Sequence, residues 1–590
     1  MKKTRPIQKM LALVLCMAML SALFIPTVSA EELAQDGDYY LISTEADLKK
    51  ITDGTTAKYK LTKNITLTEA WTPIASFGGE LDGNGFGIYN LTFDSASTSN
   101  IAFIQSTVTG AVIKNLTLEG TISVESDGSG YFAAFVGSAG GQTTISDCFS
   151  YVDITATCSA VTYSAAFIAQ IDGATEVNAT DGTKVSNCVN YGTITLTFPA
   201  QKETSSIGGI VGAVGNDTLT ISDCYNFGEL ALKGTIAKSY GKLYVAGILG
   251  TVIANSSDTI TIARCVNYAQ LSSAARFVGG IVGSSFLGKN IKVDVIMVVE
   301  YCSNFGTLFA THNSGSGVMV GGIISDDYFC SRVEYCYNGA AIVSCDTNDY
   351  ADSGYGGIIG ALQTSTYRDL TNVSYENCFT VSFDVPDTYG GDIMFGLYKR
   401  ATNSTTIPNG TITNCGVLDN NVDTVLGYLN TRLEKGNEVF CKNEDGEIEP
   451  VGILSKANTT VYASQIKTDT DSYAVRFVSA ISSLRFSAVG YQITVTGTMI
   501  DEEQLEQTVN KSADLSGTTV YSAIYETTET ENERVDAPDG CAFYTATIDG
   551  ISFDKYEALT FEVTPYVVVG EKTVTGTTVT FTFQDGEVVR

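Results

Sequence analysis

At 590 residues, 44% hydrophobic and 17% charged, the chain is long enough for more than one domain, and 57 glycines against 9 prolines suit many short strands joined by tight turns. Its 35 basic and 65 acidic side chains leave a net charge of −30. Such a field repels nucleic acid and anionic membranes and makes acidic polymers poor partners unless a metal bridges them.

Residues 1–30 carry Lys2, Lys3, Arg5 and Lys9, then an apolar run from Met10 to Ile25, then Val28-Ser29-Ala30. This is the pattern of a secretory signal peptide cleaved after Ala30. Its removal takes away four basic and no acidic side chains, so the mature charge becomes −34. Cys16 follows Leu15 inside the apolar run, not the small residue that a lipoprotein signal wants. No later stretch is apolar enough to span a membrane, and the closing T-F-Q-D-G-E-V-V-R carries no anchoring motif. The expectation is an extracellular protein without a covalent anchor, with non-covalent association with the cell surface left open.

Residues 38–43, D-Y-Y-L-I-S, read as a strand, and Thr44 with Asp47 forms a capping box ahead of a short helix whose apolar face is Leu48 and Ile51. This pair should cap the open N-terminal end of the repeat region. From Cys148 onward a unit recurs: T-T-I-S-D-Cys148, T-K-V-S-N-Cys188, L-T-I-S-D-Cys224, T-I-A-R-Cys265, V-V-E-Y-Cys302, R-V-E-Y-Cys336, S-Y-E-N-Cys378 and T-I-T-N-Cys415. The intervals run from 34 to 42 residues, the mark of stacked supersecondary units. Beyond the cysteine the pattern has period two, with Asn at +2 (Asn190, Asn226, Asn267, Asn304, Asn338) and Ile or Leu at +6, so these share one face of a strand. The apolar residue at −3 has the opposite parity, so the chain must bend just before the cysteine, where Ser-Asp and Ser-Asn pairs tolerate a bend. A second motif, I-G-G-I-V-G at 207–212 and its copies at 245–250, 278–283, 320–324 and 355–360, marks a column that admits only small side chains.

Each repeat thus offers about three short strands, too few to bury an apolar face alone. Stacked in parallel without intervening helices, they form a β-helix. About ten rungs at about 4.8 Å each make a rod of roughly 48 Å. The stretches 196–206, 232–243, 309–318 and 345–354 read as polar loops on one side. The segment 422–433 has helical spacing and should close the far end, and 434–459 reads as a hairpin-like connection. Seven or more strands without helices then begin at about 460, an antiparallel β-sandwich. The expected fold is all-β: a right-handed parallel β-helix with capping helices over 31–433, the connection at 434–459, and an Ig-like sandwich over 460–590.

The run G-[IL]-x-G followed by T-I-S-x-C-Y-N-x-G resembles the GLUG repeat of bacterial secreted and surface proteins, and Trp71 to Gly85, W-T-P-I-A-S-F-G-G-E-L-D-G-N-G, is similar to that family's first rung. The resemblance covers roughly 38–425. It implies the β-helix and an adhesin-like role, since such repeats also occur in the non-catalytic region of some immunoglobulin-A-cleaving metallopeptidases. The C-terminal stretches R-F-V-S-A-I-S-S-L and V-T-P-Y-V-V-V are loosely similar to accessory modules of secreted Gram-positive proteins.

Catalytic groups are scarce. The single histidine, His312, lies in a loop-like T-H-N-S-G-S-G-V, and no H-E-x-x-H or G-x-S-x-G occurs. Asp326-Asp327 is the one pair that a polysaccharide hydrolase or lyase on the side of the rod could use, although neighbours on a strand face opposite ways. D-G-N-G at 82–85 suits either calcium or a sharp bend; no other cofactor is expected. In-register strands hold the repeat cysteines too far apart and too parallel for a disulfide ladder, so they are read as buried thiols, and one per rung does not suit zinc. The candidate binding residues are the aromatics at +3, Tyr151, Tyr191, Phe227, Tyr268 and Phe305, which parity turns outward as a stripe on which a sugar could stack. Together these features imply a secreted, non-catalytic binding or adhesin-like protein whose partner is an extracellular glycan or a host or cell-surface protein, with a polysaccharide lyase or hydrolase as the alternative. No residue pattern in the chain encodes an oligomeric state.

Overall fold

The computed structural model describes 33–93, 100–126, 128–172, 182–201, 205–215, 217–236, 243–253, 259–274, 276–285, 297–310, 318–327, 331–344, 354–363, 374–383, 395–399, 412–418, 421–433, 439–442 and 446–450, together with the strands after 460 named below. The signal-peptide segment 1–30 and His312 lie outside these residues.

One rung shows how the repeat becomes structure. Ser205–Gly208, Val211–Val214, Leu219–Ser222, Tyr225–Asn226 and Leu230–Ile236 succeed one another along the chain, and each pairs in parallel with its counterpart in the next rung. The rungs therefore build four long sheets of 13, 16, 8 and 9 strands, an arrangement consistent with a β-helix. Four sheets, rather than three strands per repeat, are needed because the G-G-I motif is itself a corner between two strands. The bend inferred before each cysteine is a left-handed residue: Asp147, Asn187, Asp223, Arg264, Tyr301, Tyr335, Asn377 and Asn414 all have φ between 51° and 56°. Asp and Asn tolerate that region best, which is why they dominate the position.

Inside the coil, the −3 column (Ile145, Val185, Ile221, Ile262) and the cysteines from Cys148 to Cys378 are fully buried in one continuous core. The cysteines are free thiols, and each sulfur lies against backbone carbonyls, as Cys224 Sγ does with Ser222 O at 3.2 Å and Val185 O at 3.6 Å. Burial pushes the Cys188 and Cys224 thiols well above their usual range. The Asn column is a hydrogen-bonded ladder: Asn190 Nδ2 donates to Asn226 Oδ1 at 2.8 Å, and the chain continues through Asn267 and Asn304 to Asn338. The Gly-Gly corner is what gives it room. A Cβ on Gly280 would stand 2.6 Å from Asn304 Cβ and 2.0 Å from Gly322 O, so this corner admits no side chain at all.

At the N-terminal end, Gln35–Asp36 pairs antiparallel with Tyr39–Ile42, which opens the first sheet, and the helix Glu45–Leu48 comes next. Thr44 Oγ1 accepts from Asp47 N at 3.1 Å, Asp47 Oδ2 accepts from Ser43 N at 3.2 Å, and Leu48 is fully buried. The expected cap is present.

Two expectations need correcting. The polar stretches after 194 and 230 begin as strand, Ile194–Gln201 and Leu230–Ile236, in register with Phe149–Cys158. The T-L-T-F alternation of the first and L-A-L of the second pair well on a pleated surface; the later parts, 237–242, 311–317 and 345–353, lie outside the described residues. The helix Val422–Leu429 does not lie across the open end. Its Val425 and Leu429 share one apolar cluster with Tyr301, Tyr335, Tyr337 and Phe379, so it packs along the flank of three successive rungs. Phe440 and Ile448, from the antiparallel hairpin Phe440–Lys442/Ile448–Pro450, join the same cluster. We call 421–450 the strap.

Beyond it are a two-stranded antiparallel sheet, Ala523–Thr527 with Asn532–Asp536, and two larger antiparallel ones. One holds Thr460–Asp469, Ser472–Ile481 and Ala542–Ile551; the other holds Gln504–Asp514, Ala488–Met499, Tyr556–Val569, Val579–Gln584 and Glu587–Val589, with Lys572–Thr575 at the side. In the second sheet Tyr491, Ile493 and Val495 alternate inward against Leu559, Phe561 and Val563.

Candidate functional site

The five aromatics sit where parity puts them, each one residue past a buried Asn or Ser. Their amides are tied to the preceding rung: Tyr191 N donates to Ser150 O, Phe227 N to Asn190 O and Tyr268 N to Asn226 O, all at 2.8 Å, and Phe305 N to Asn267 O at 2.7 Å. The rings are half-buried and form one continuous stack. Tyr151–Tyr191 centroids are 4.7 Å apart, Tyr191–Phe227 5.2 Å, Phe227–Tyr268 4.9 Å and Tyr268–Phe305 5.5 Å, with interplanar angles of 5° to 19°.

That geometry corrects the expected mode of contact. Each inner ring has both faces covered by its neighbours, so a sugar cannot stack on Tyr191, Phe227 or Tyr268. What reaches solvent is a row of ring edges. Behind the row, Phe149, Val189 and Tyr225 pack against the same rings. Burial pushes the Tyr151, Tyr191 and Tyr268 phenols up, so they remain neutral O–H groups at any ordinary pH.

The strap limits this surface. Phe305 packs into the strap cluster, and Tyr428 of the strap helix stacks on Phe379 at 6.0 Å. Sequence reasoning passed over Tyr301 and Tyr335, which hold a left-handed position as bulky residues. Their rings stack at 4.8 Å, and the Arg432 guanidinium lies 5.1 Å from the Tyr335 centroid while pairing with Glu334 at 3.1 Å and Glu376 at 3.3 Å. The available signal was a Tyr at −1 in two rungs where Asp or Asn is the rule.

The acidic candidates have structural uses. Asp326 and Asp327 are fully buried in Ile324–Asp327. Asp327 Oδ1 accepts from Ser285 Oγ at 2.6 Å and Ser331 Oγ at 2.9 Å, and Oδ2 accepts from the buried Tyr375 hydroxyl. This pair is not presented to a substrate on the outside of the rod. In D-G-N-G, Asp82 Oδ1 accepts from Asn84 N at 2.8 Å and Asn115 Nδ2 at 3.1 Å, while Asn84 and Gly85 have φ of 51° and 84°. The sharp-bend use is therefore the one seen. Among the described residues, no three His, Cys, Asp or Glu side chains gather as a metal site, and no helix is long and apolar enough to cross a membrane.

No protein-family model matches the chain, and no curated protein matches it. Among the solved structures similar to it are an IgA1 protease and a bacteriophage tailspike. IgA1 protease is 13% identical over 58% of this chain and 21% of that one, with a TM-score of 0.31. The enzymatically active domain of bacteriophage CBA120 tailspike protein 4 is 11% identical over 89% of this chain and 64% of that one, with a TM-score of 0.19. The chain thus spans about a fifth of the IgA1 protease and under two thirds of the tailspike domain, and at these scores neither likeness bears on function.

Proposed function

We propose that this is a secreted, non-catalytic, adhesin-like protein that recognises an extracellular glycan or a host or cell-surface protein through the flank of its rod. The observation that carries the reading is the ring stack from Tyr151 to Phe305, half-exposed and fixed by backbone hydrogen bonds to neighbouring rungs. Ring edges held in a row offer a partner a rigid apolar strip that loses little entropy on binding. The resemblance to GLUG-repeat bacterial proteins, a right-handed coil, an Ig-like C-terminal module and release after Ala30 belong to the same reading.

The test begins with a glycan array and a panel of cell-surface proteins, and proceeds to Tyr191→Ala, Phe227→Ala and Tyr268→Ala. Each single variant should lose about fivefold in affinity while circular dichroism stays unchanged, from about 1 kcal/mol per ring. Full binding by a folded triple variant would remove the stripe as the site. Product release from acidic or neutral polysaccharides, with calcium present, would replace the non-catalytic reading with a lyase or hydrolase.

A further inference from the structure

We infer that the outward sheet face beside the ring stack is a track for a linear, non-anionic glycan running along the rod; the inference rests on the binding role proposed above. Two residues past each of the first four rings stands an exposed oxygen-bearing side chain: Asp153, Thr193, Glu229 and Gln270. They are in register, because Ile154 pairs with Ile194, Ile194 with Leu230, and Leu230 with Leu271. Thr193 N and Oγ1 both donate to Asp153 Oδ1 at 2.8 Å, which links one rung's polar group to the next.

Each rung therefore presents one ring edge and one hydrogen-bonding group, and the set repeats about every 4.8 Å. That is close to the length of one hexose unit. An extended peptide repeats its same-side groups about every 6.7 Å, so it falls out of step within two rungs. The ring edge is the positive rim of the aromatic quadrupole and suits the oxygens of a sugar. The polar column suits its hydroxyl or amino donors. Charge decides against uronates: Glu119, Glu125, Asp153 and Glu229 are exposed on this face against Lys233. The track ends toward the C-terminus where Phe305 joins Phe440 and Ile448 of the strap.

Calorimetry on the mature full chain with cellohexaose, a glucosamine hexamer and hexagalacturonate tests this. The expected result is binding of the neutral or the amino-sugar hexamer and none of the galacturonate. A Glu229→Ala/Gln270→Ala double variant, altered only at exposed positions, should bind at least about fivefold more weakly with an unchanged melting temperature. Preference for hexagalacturonate would overturn the track. So would wild-type affinity in the folded double variant while Tyr191→Ala weakens binding, an outcome that keeps the binding role and discards the polar column. If none of the three hexamers binds, the track is also discarded, and the protein panel then decides the binding role by itself.

Discussion

The rod carries a short helix toward each end, and the two differ in how much of their hold is apolar. Glu45–Leu48 buries Leu48 in the rod core and is otherwise clamped by polar contacts: the Thr44–Asp47 box, a Glu45–Lys49 pair at 2.8 Å, and Glu45 Oε2 accepting from Thr68 N at 2.9 Å and Thr68 Oγ1 at 2.7 Å. In Val422–Leu429 no side chain caps the N-terminus; Val425, Leu429 and Phe440 pack with the stacked pair Tyr301–Tyr335, and Asn430 Oδ1 accepts from Val439 N and Phe440 N at 3.1 Å. The first helix follows the strand Tyr39–Ile42 beside the sheet edge that Gln35–Asp36 finishes. The second covers a flank and so sets where the exposed ring stack stops. A clamp made of hydrogen bonds fixes direction and is weak in water, whereas a clamp made of buried rings is strong enough to hold two tyrosines in a left-handed backbone that costs about 1–3 kcal/mol each.

The largest effect should come from the apolar clamp. Tyr335→Ala removes a ring that is 1% exposed and stacked on Tyr301, beneath Arg432. The expected loss is about 3–5 kcal/mol, seen in hydrogen exchange as opening of 421–450 while the rungs from 149 to 236 keep their protection. Tyr191→Ala, on the open part of the stack, should cost clearly less. Equal losses for the two variants, or uniform exchange along the rod, would show that the strap is not a separately docked unit.

The rod between the two helices gives the next effect. Gly280→Leu forces a side chain into space already filled by Gly322 O and Asn304, and overpacking should cost about 1–3 kcal/mol or more. An unchanged melting temperature would mean that the Gly-Gly corner yields, contrary to its contacts. Removing the polar cap box is expected to cost less: Thr44→Ala should lose about 1 kcal/mol, measurable as faster exchange at Leu48 and Lys49, whose amides bond to Thr44 O and Glu45 O at 3.0 Å.

The repeat made much of this architecture legible, and the reasons are specific. Cys, Asn and Ile/Leu share parity, so their burial could be read from period two alone, and Asp or Asn before each cysteine marked the left-handed bend. Parity also turned the +3 aromatics outward, but it says nothing about side-chain rotation, so face-to-face stacking stayed hidden until Tyr151, Tyr191 and Phe227 were seen on adjacent rungs. Helical spacing in 422–433 identified an apolar face without naming what it meets; Tyr301 and Tyr335 were that partner, written in the wrong residue type for their backbone. The strands Ile194–Gln201 and Leu230–Ile236 were obscured by polar composition, although T-L-T-F already alternates.

The smallest effect separates the two clamps by pH. Hydrogen bonds from Lys49 and then Thr68 hold the Glu45 carboxyl down, from 4.5 to about 2. A carboxylate depressed in the folded state adds stability that is present above its unfolded value and disappears as pH falls through the folded one. The N-terminal helix should therefore loosen between about pH 4.5 and pH 2, with Lys49, Glu69 and Asp47 as the other charges in reach. Val425, Leu429 and Phe440 do not titrate, and burial raises the Tyr335 phenol, so acid leaves the apolar clamp at the other end in place. Exchange at Leu48 and Lys49, corrected for the intrinsic pH dependence of amides, should rise across that window before exchange at Val425 and Leu429 does. Glu45→Gln should reduce the response, because a neutral amide has no proton to gain, and leave the part that the lowered Asp47 carboxyl contributes. If the two helices open together, or if Glu45→Gln retains the full acid response, the polar clamp is not what holds the first helix, and Leu48 and Ile51 in the core are left as its anchors.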